Sequence, residues 1–283
     1  MKVSTVHSGL FKLDGGAMFG VVPKQLWERK NQPDENNMCT WAMKCLLIEI
    51  GDRKILLDTG MGHKQDDKFR SHFEPHGPYD LIGSLSELNV TPSQITDVFL
   101  THLHFDHCGG AISIGQNGKL TPTFPNARYW SNEAHWEWAK TPNPREKASF
   151  LKENFILLEE EGIINFIPTQ ETKVEWMDGI DILHVNGHTE KMMIPHIQVN
   201  GKTLVFCADL LPSAGHLGLP YVMSYDIRPL DTMKEKKSFL DTAVDHEYIL
   251  FLEHDKDNEC IQVGRNDRGR YAVKKSGKLA DFI

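Results

Sequence analysis

Three histidines and one aspartate lie within six positions of the segment THLHFDHCGG, residues 101–110. If the apolar run before them is a buried strand, alternating side-chain directions place His102 and His104 on one face, where both imidazoles can bind one metal ion. Asp106 and His107 then lie beyond the strand end and face a second ion. Burying this many polar groups without a metal would be costly, so the spacing predicts a dinuclear metal centre.

Three more ligand-type residues occur at predicted strand ends in the second half of the chain, namely His188, Asp209 and His254. Asp209 has two carboxylate oxygens and can bridge two cations about 3.5 to 4 Å apart, which a neutral imidazole cannot do. Nitrogen and oxygen ligands suit zinc, iron, manganese or cobalt, and the spacing does not choose among them. Asp58, at the end of an earlier strand, is expected to accept the ring N–H of a ligand histidine and fix its tautomer.

Tight-turn signals predict three hairpins, at Gly51-Asp52, Asp178-Gly179 and Asn200-Gly201. Each separates two apolar runs, and the first and third are followed by an aspartate just past a strand. These turns predict antiparallel strand pairs in both halves of the chain.

Helical spacing of apolar residues appears at residues 81–88, 144–162 and 230–246. The first and third of these segments lead into apolar strands that end on a histidine. This similarity between the two halves predicts two related units of sheet and helix, with the sheets inside and the helices outside. Segments 10–45 and 211–230 lack clear periodicity and are expected to be ordered loops that carry binding function.

The composition, with 40% hydrophobic and 25% charged residues among 283, is that of an ordinary globular protein. The formal net charge of -8 disfavours nucleic acid as a partner or substrate. Five widely spaced cysteines with no CxxC pair indicate neither a disulfide framework nor a thiolate zinc site, and they favour a reducing compartment. No apolar run reaches the roughly 18 residues of a spanning helix, so we expect a cytoplasmic protein with no membrane partner.

Five motif elements resemble, in order, those of the metallo-β-lactamase superfamily: LLDTG with Asp58, THLHFDH, and then His188, Asp209 and His254. The resemblance implies an α/β fold, a four-layer αββα sandwich with two mixed sheets inside and helices outside. It further implies one domain over residues 1–283, built from two halves of roughly 1–160 and 161–283.

Within that superfamily, the segment LDGGAMFGVVPKQLW, residues 13–27, resembles quorum-quenching N-acyl homoserine lactonases and methyl parathion hydrolase. The resemblance implies two divalent metal ions, zinc being the first expectation, and ligands divided between them. One ion would be held by His102, His104 and His188, the other by Asp106, His107 and His254, with Asp209 as the bridge. The chain departs from the family where GHTPGH is replaced by GHTEKMM, which leaves His188 in place but changes the loop after it.

The predicted activity is hydrolysis, with lactone-ring opening by a metal-bound hydroxide as the first choice. Two cations lower the pKa of a shared water toward about 7 and polarise the substrate carbonyl. Asp106 and Asp209 are the predicted catalytic carboxylates, and Asp209 would pass on the proton. A neutral, ester-like substrate with an apolar arm suits an acidic chain without an obvious anion-binding arginine pair.

The substrate pocket is assigned to apolar and aromatic residues of the irregular segments, Met18, Phe19, Trp27 and Tyr221. Core packing explains such residues equally well, and an exposed Phe19 or Trp27 could instead serve a homodimer contact. Some lactonases carry a tyrosine soon after the bridging aspartate, whereas the tyrosines here, Tyr221 and Tyr225, lie farther along the chain.

Other activities remain open on the residues alone. A phosphotriester hydrolase of the methyl parathion hydrolase type is the second choice, because the same ions can clamp a phosphoryl group. A glyoxalase II-like thioesterase needs basic residues for an anionic glutathione arm, and GRNDRGRYAVKK, residues 264–275, is the only dense basic stretch. That stretch is expected to be a solvated hairpin. A non-hydrolytic diiron redox protein is a further alternative, recognisable by its iron and its optical spectrum.

Overall fold

Residues 1–283, all of which the computed structural model describes, form fifteen strands and eight α-helices. The strands are β1 (Lys2–Asp14), β2 (Met38–Ile50), β3 (Arg53–Leu57), β4 (Asp97–Phe99), β5 (Ile112–Ile114), β6 (Leu120–Pro122), β7 (Arg128–Ser131), β8 (Ile164–Phe166), β9 (Lys173–Met177), β10 (Ile180–Val185), β11 (Met192–Val199), β12 (Lys202–Phe206), β13 (Ile249–Phe251), β14 (Cys260–Arg265) and β15 (Tyr271–Gly277). The helices are α1 (Gly15–Phe19), α2 (Lys24–Trp27), α3 (Asp67–Phe73), α4 (Leu81–Glu87), α5 (Phe105–Cys108), α6 (Glu133–Lys140), α7 (Ile156–Glu160) and α8 (Pro229–Asp245).

The chain divides into two compact units. The first unit comprises residues 1–10 and 43–171, and the second comprises residues 11–42 and 172–283. The early segment 11–42 therefore belongs to the same unit as the second half of the chain. One domain with halves of roughly 1–160 and 161–283 stays a prediction.

Both large sheets are mixed, as the resemblance implies. The six-stranded sheet has the order β1-β2-β3-β4-β7-β8, and the seven-stranded sheet has the order β15-β14-β13-β12-β11-β10-β9. Strand β3 is parallel to β4 in the first sheet, and β12 is parallel to β13 in the second. Parallel pairs bring the carboxyl ends of two strands to the same sheet edge, where ligand-binding residues can meet. The predicted α/β class is confirmed.

The three predicted hairpins are confirmed by the strand registers. Ile50 pairs with Arg53 across the first turn, Met177 with Ile180 across the second, and Val199 with Lys202 across the third. In the third turn Asn200 and Gly201 have φ values of 51° and 73°. Two consecutive positive φ values are the requirement of a type I′ turn, which explains the Asn-Gly pair.

Two of the three predicted helices form as expected, as α4 and α8. The helix predicted over 144–162 is wrong, because only α7 and a 3₁₀ turn at Lys152–Asn154 are helical there. The Ser149 carbonyl accepts a hydrogen bond from the Phe105 amide at 2.9 Å, so tertiary contacts override the local spacing.

The expectation of loops over 10–45 is also wrong, because helices α1 and α2 lie inside that segment and strands occupy both of its ends. Strand β1 continues to Asp14, and β2 begins at Met38. Segment 211–230 contains only a 3₁₀ turn at Ala214–His216 before α8 begins at its end, so it is the irregular segment that was predicted.

The core of the first unit packs helices α4, α6 and α7 against strands β3, β4 and β7. Its fully buried members include Leu56, Leu85, Val98, Trp136 and Leu158. Each buried side chain of this kind contributes about 1.5 to 3 kcal/mol to folding. The packing fixes the ends of β3 and β4, from which the first cluster of candidate ligands extends.

The second unit packs α8 against its sheet through one buried helix face, formed by Thr232, Lys236, Phe239, Leu240 and Ala243. The spacing of these residues is that of an amphipathic helix. Even α8, the longest helix, lacks the length and apolar character needed to cross a membrane, and so does every other helix.

Candidate metal centre

The first cluster of candidate ligands follows the parallel strands β3 and β4, in which Leu57 pairs with Phe99. His102 and His104 lie in the loop after β4, with His102 Nε2 3.1 Å from His104 Nδ1. A strand running through His104 was expected, but β4 ends at Phe99 and α5 begins at Phe105. The loop itself, rather than strand alternation, therefore brings the two imidazoles together.

That loop is held by His135, a histidine outside the predicted ligand set. His135 Nε2 accepts a hydrogen bond from the Leu103 amide at 2.8 Å, and the Cys108 thiol donates to the Leu103 carbonyl at 3.3 Å. Both polar groups of Leu103 are thus bonded inside the first unit. The chain between the two histidine ligands is consequently fixed on both sides of Leu103.

Asp58 lies directly after β3, is fully buried and has a positive φ of 56°. One carboxylate oxygen accepts the Thr101 amide at 2.8 Å, and the other accepts the Thr101 hydroxyl at 2.6 Å. The second oxygen also lies 3.1 Å from His107 Nδ1. Thr101 Oγ1 is in turn 3.1 Å from His102 Nδ1, so one carboxylate orients two imidazoles, one directly and one through a hydroxyl.

Glu146 is a supporting residue that the sequence did not indicate. Its carboxylate lies 3.6 Å from His104 Nε2 and accepts hydrogen bonds from the Trp138 indole, at 2.8 Å, and from the Asn143 amide. Glu146 is only 2% exposed. With its Nε2 atom facing Glu146, His104 presents Nδ1 toward His102.

The glycine pair after the histidines is required by backbone packing. A Cβ atom on Gly109 would lie 2.0 Å from the Met61 carbonyl oxygen, and one on Gly110 would lie 2.2 Å from the Thr59 carbonyl oxygen. No side chain fits at such distances. The close approach locks the segment carrying His107 against the loop after Asp58, and the Thr59 amide donates to the His107 carbonyl at 2.7 Å.

The second cluster follows the parallel strands β12 and β13, in which Phe206 pairs with Phe251. Asp209 and His254 each lie three residues beyond this pair, at the same edge of the sheet. Asp209 Oδ1 is 3.1 Å from His254 Nε2, and Asp209 Oδ2 is 3.1 Å from His188 Nε2. The two carboxylate oxygens therefore contact two different imidazoles, which is the arrangement of a bridging carboxylate.

The remaining ring nitrogens of the second cluster are also bonded. His254 Nδ1 donates to the Ala42 carbonyl at 2.7 Å, and His188 Nδ1 lies 2.8 Å from Asp226 Oδ1. Asp226 is 1% exposed and accepts the Met223 amide at 3.1 Å with its other oxygen. Protonated Nδ1 atoms leave the Nε2 lone pairs available, which is the tautomer that a metal ligand needs.

Burial alone would lower the pKa of His188. Attraction to Asp209, together with hydrogen bonds to Asp209 and Asp226, outweighs burial and raises the pKa to about 10. Without a metal ion, His188 is therefore a cation held between two carboxylates. A bound divalent ion would take the place of that proton.

The loop before and after His188 is anchored to the region around α8. The Glu235 carboxylate accepts the amides of Asn186 and Gly187 at 2.8 and 2.9 Å. Arg228 donates to the Asn186 carbonyl and to Glu190, both at 2.7 Å. Glu190 stands where the family motif has proline, and this ion pair gives the altered loop its own attachment.

The spacing of the donor atoms fits metal coordination. Zinc–nitrogen bonds of about 2.0 to 2.1 Å in tetrahedral geometry place two ligand atoms about 3.3 Å apart. Within the first unit the His102–His104 pair has a nitrogen separation of 3.1 Å, and within the second unit both contacts of Asp209 are 3.1 Å. Each cluster thus offers nitrogen or oxygen donors at the separation expected for two ligands of one metal ion.

Asp106, 8% exposed, lies beside His107 with a separation of 3.8 Å between Oδ2 and Nε2.

Three of the four predicted pocket residues are buried inside the second unit. Met18, Phe19 and Trp27 are at most 2% exposed, whereas Tyr221 is partly exposed. Phe19 stacks on Trp27 at a ring separation of 5.4 Å, on His216 at 4.6 Å, and meets Tyr221 edge-on. Because Phe19 and Trp27 are buried, the expectation that they form an exposed dimer contact is wrong.

Residues 44–254 match the family model described as metallo-beta-lactamase superfamily. The chain therefore belongs to the metallo-β-lactamase superfamily and has its fold. A dinuclear metal site is typical of that superfamily, and the matched range contains all seven predicted ligands.

Several solved structures and curated proteins are similar to this chain. A probable metal-dependent hydrolase from Staphylococcus aureus is 27% identical, with a TM-score of 0.87 over 98% of this chain and 96% of that chain. AidC, a dizinc quorum-quenching lactonase in complex with a product, is 20% identical, with a TM-score of 0.77 over 96% and 92%. That likeness concerns the fold.

Hydroxyacylglutathione hydrolase from Aeromonas hydrophila is 26% identical over 180 residues, which make up 61% of this chain and 56% of the relative. The chain thus matches little more than half the length of these curated relatives.

Proposed function

We propose that the chain is a metal-dependent hydrolase that opens lactone rings of the N-acyl homoserine lactone type and uses two zinc ions. His102, His104 and His188 would hold one ion, and Asp106, His107 and His254 would hold the other, bridged by Asp209. Residues 1–283 would act as one catalytic domain. The observation that carries the proposal is Asp209, whose two oxygens each contact a different imidazole at 3.1 Å.

The two ions would supply Lewis acidity and a water whose pKa is lowered toward about 7. The chain contributes the orientation of every imidazole. Asp58, Asp226 and the Ala42 carbonyl hold Nδ1 of His107, His188 and His254, respectively, so that each Nε2 points away from its support. Fixed ligands keep the reacting groups in place without reorganisation during the reaction.

Asp209 and Asp106 are the carboxylates that can hold a proton beside the reacting bond. Both are largely buried, at 6% and 8% exposure, yet neither is sealed from the surface. Opening a lactone requires a proton on the departing alkoxide, and a carboxylate in this position can deliver it. The lactone is favoured over other esters because AidC, a lactonase, shares the fold over 96% of the chain.

The test uses the metal-loaded chain and the same chain stripped by a chelator. Hydrolysis of hexanoyl and decanoyl homoserine lactones releases one acid proton per turnover and can be followed in weak buffer. We expect turnover from the loaded chain and none above background from the stripped chain or from Asp209→Ala. Equal rates of lactone hydrolysis by the loaded and the stripped chain would reject the proposed lactonase activity.

A thioesterase is the second candidate, because the curated relatives are hydroxyacylglutathione hydrolases. The same preparation is offered a hydroxyacyl glutathione thioester and a dialkyl aryl phosphotriester. A kcat/KM for the thioester above that for the lactones would replace the first proposal with the second. A preference for the phosphotriester would assign the metal centre to phosphoryl chemistry.

A further inference from the structure

A cavity of about 850 Å³ in the second unit is bordered by four cationic side chains, Lys30, Lys237, Arg265 and Arg270. No carboxylate lines it. The chain as a whole carries a net charge of -8, so this concentration of positive charge runs against the overall balance. A concave surface of one sign concentrates ligands of the opposite sign.

Two of the cations are positioned by a carboxylate behind the cavity wall. Asp241, on α8, pairs with Lys237 at 2.7 Å and with Arg265, and it accepts the Tyr271 hydroxyl. One carboxylate thus forms ion pairs with two cations and neutralises only one positive charge. The basic stretch of 264–275, expected to be a solvated hairpin, is indeed the β14–β15 hairpin, but its Arg265 and Arg270 border this cavity.

The other two cations, Lys30 and Arg270, are exposed and form no ion pair with a carboxylate of the chain. They come from distant positions in the sequence, Lys30 from just after α2 and Arg270 from the β14–β15 turn. The single negative charge of Asp241 offsets one of the four positive charges, which leaves an excess of three. The surplus is available to an anion that enters the cavity.

Another part of the cavity lining is apolar. It is formed by the segment 214–221 and includes Leu217, Leu219, Pro220 and the ring of Tyr221. Leu217 is 6% exposed, whereas Leu219 and Tyr221 are partly exposed to the cavity. Apolar surface of this kind gains free energy when an alkyl chain covers it.

The apolar wall is rigid because a buried lysine holds it from behind. Lys236 is 1% exposed and donates to the carbonyls of His216, Gly218 and Tyr221 at 3.0, 3.0 and 2.8 Å. These three bonds satisfy all the protons of the ammonium group and fix the curve of the segment. A preformed wall loses little conformational entropy when a ligand binds.

A smaller neighbouring cavity of about 210 Å³ provides a contrast. It shares Lys30 with the larger cavity, but Asp255 and Asp257 line it together with Arg29 and Lys256. Three cations face two carboxylates there, which leaves an excess of one positive charge. The excess of positive charge is therefore greater in the larger cavity, which no carboxylate lines.

We propose that the larger cavity binds an amphiphilic anion, a carboxylate or phosphate monoester joined to an alkyl chain. The anionic head contacts Lys30 and Arg270, and the chain lies along Leu219 and Tyr221. The site requires no metal ion and is independent of the hydrolytic activity proposed above.

The test is calorimetric titration of the metal-loaded full chain with octanoate, octyl phosphate and octanol. We expect saturable binding of both anions and at least tenfold weaker binding of octanol. The double variant Lys30→Gln, Arg270→Gln should bind the anions about tenfold more weakly, because two exposed charge contacts are lost. The control Arg268→Gln alters an arginine of the same turn that does not line the cavity and should bind as the unmodified chain does.

A preference for octyl phosphate over octanoate would identify the head group as a phosphate, and the reverse order would identify a carboxylate. Shortening octanoate to hexanoate should weaken binding about tenfold, since two methylene groups leave the apolar wall. Unchanged affinity in the double variant, as expected if the anions bind the metal ions instead, would overturn the proposal. Equal binding of octanol and octanoate would overturn it too.

Discussion

The Nδ1 atom of His188 lies 2.8 Å from a carboxylate oxygen of Asp226, and both side chains are almost completely buried. The contact joins residues 38 positions apart and leaves His188 Nε2 directed at Asp209, 3.1 Å away. Asp226 thus determines which ring nitrogen of His188 is available to a metal. Such supporting partners typically contribute a factor of 10 to 100 in metal affinity or activity.

Asp226→Asn should lower the affinity of the chain for its metal by about 10- to 100-fold. Asparagine has the same shape, but its amide nitrogen would face either His188 or the Met223 amide, both of which are donors to the native carboxylate. The measurement is chelator competition with zinc. The control Asp231→Asn removes a partly exposed carboxylate of α8 that pairs with Lys234, and it should leave the affinity unchanged. An unaltered affinity in Asp226→Asn would show that the carboxylate has no role in positioning the ligand.

Asp209→Ala should reduce the proposed metal content of two ions per chain to about one, because a shared carboxylate would be the ligand common to both ions. Asp209→Asn keeps one side-chain oxygen, so its metal content should lie between that of the alanine variant and that of the unmodified chain. Elemental analysis of dialysed protein gives the stoichiometry, and hydrolysis of lactones gives the activity. Two ions retained in Asp209→Ala would exclude a bridging role.

The seven candidate ligands could be predicted because each follows an apolar strand or lies in one dense motif. Both features are local in sequence, and local patterns report strand ends well. Asp226 and Glu146 could not be found in the same way. Asp226 lies in an irregular segment, and Glu146 lies where a helix was predicted, so neither neighbourhood indicates a contact with a histidine far along the chain.

The secondary structure could likewise be predicted where it depends on neighbouring residues, but not where it depends on contacts with distant ones. Turn chemistry located the hairpin at Asn200-Gly201, because the φ values that the turn needs are a property of those two residues. The loop from His102 to His104 was misjudged as strand, because hydrogen bonds from His135 and Cys108 shape it. The aromatic segment around Phe19 was expected to line a pocket, and its burial depends on partners that are distant in sequence, such as His216.

Trp27→Ala should destabilise the chain by about 3 to 5 kcal/mol, the usual cost of removing a large buried aromatic side chain. Trp27 is 2% exposed and stacks on Phe19 with an angle of 13° between the rings. Tyr221→Phe is the matched change at a partly exposed ring and should alter stability by less than about 0.5 kcal/mol. Urea unfolding measures both. Normal stability in Trp27→Ala, combined with an altered preference for acyl-chain length, would instead assign Trp27 to the substrate pocket.

Removing the metal should make the stability of the chain depend on pH in alkaline solution. Burial opposes the charge on His188, but Asp209 and Asp226 overcome it and raise the pKa from 6.5 to about 10. A pKa raised in the folded state stabilises that state fully below the unfolded value, and the contribution is lost as pH rises through the folded value. The metal-free chain should therefore lose stability between about pH 6.5 and pH 10.

The metal-loaded chain should show less of this loss, because a bound ion replaces the proton on His188. Urea unfolding of both forms across that pH range provides the comparison. Asp226→Asn removes one of the two carboxylates that raise the pKa of His188, so in the metal-free variant the loss of stability should be smaller and should be complete at a lower pH. A metal-free chain whose stability is flat over this range would show that His188 is neutral in the folded state, and the ion pairs with Asp209 and Asp226 would then contribute nothing to folding.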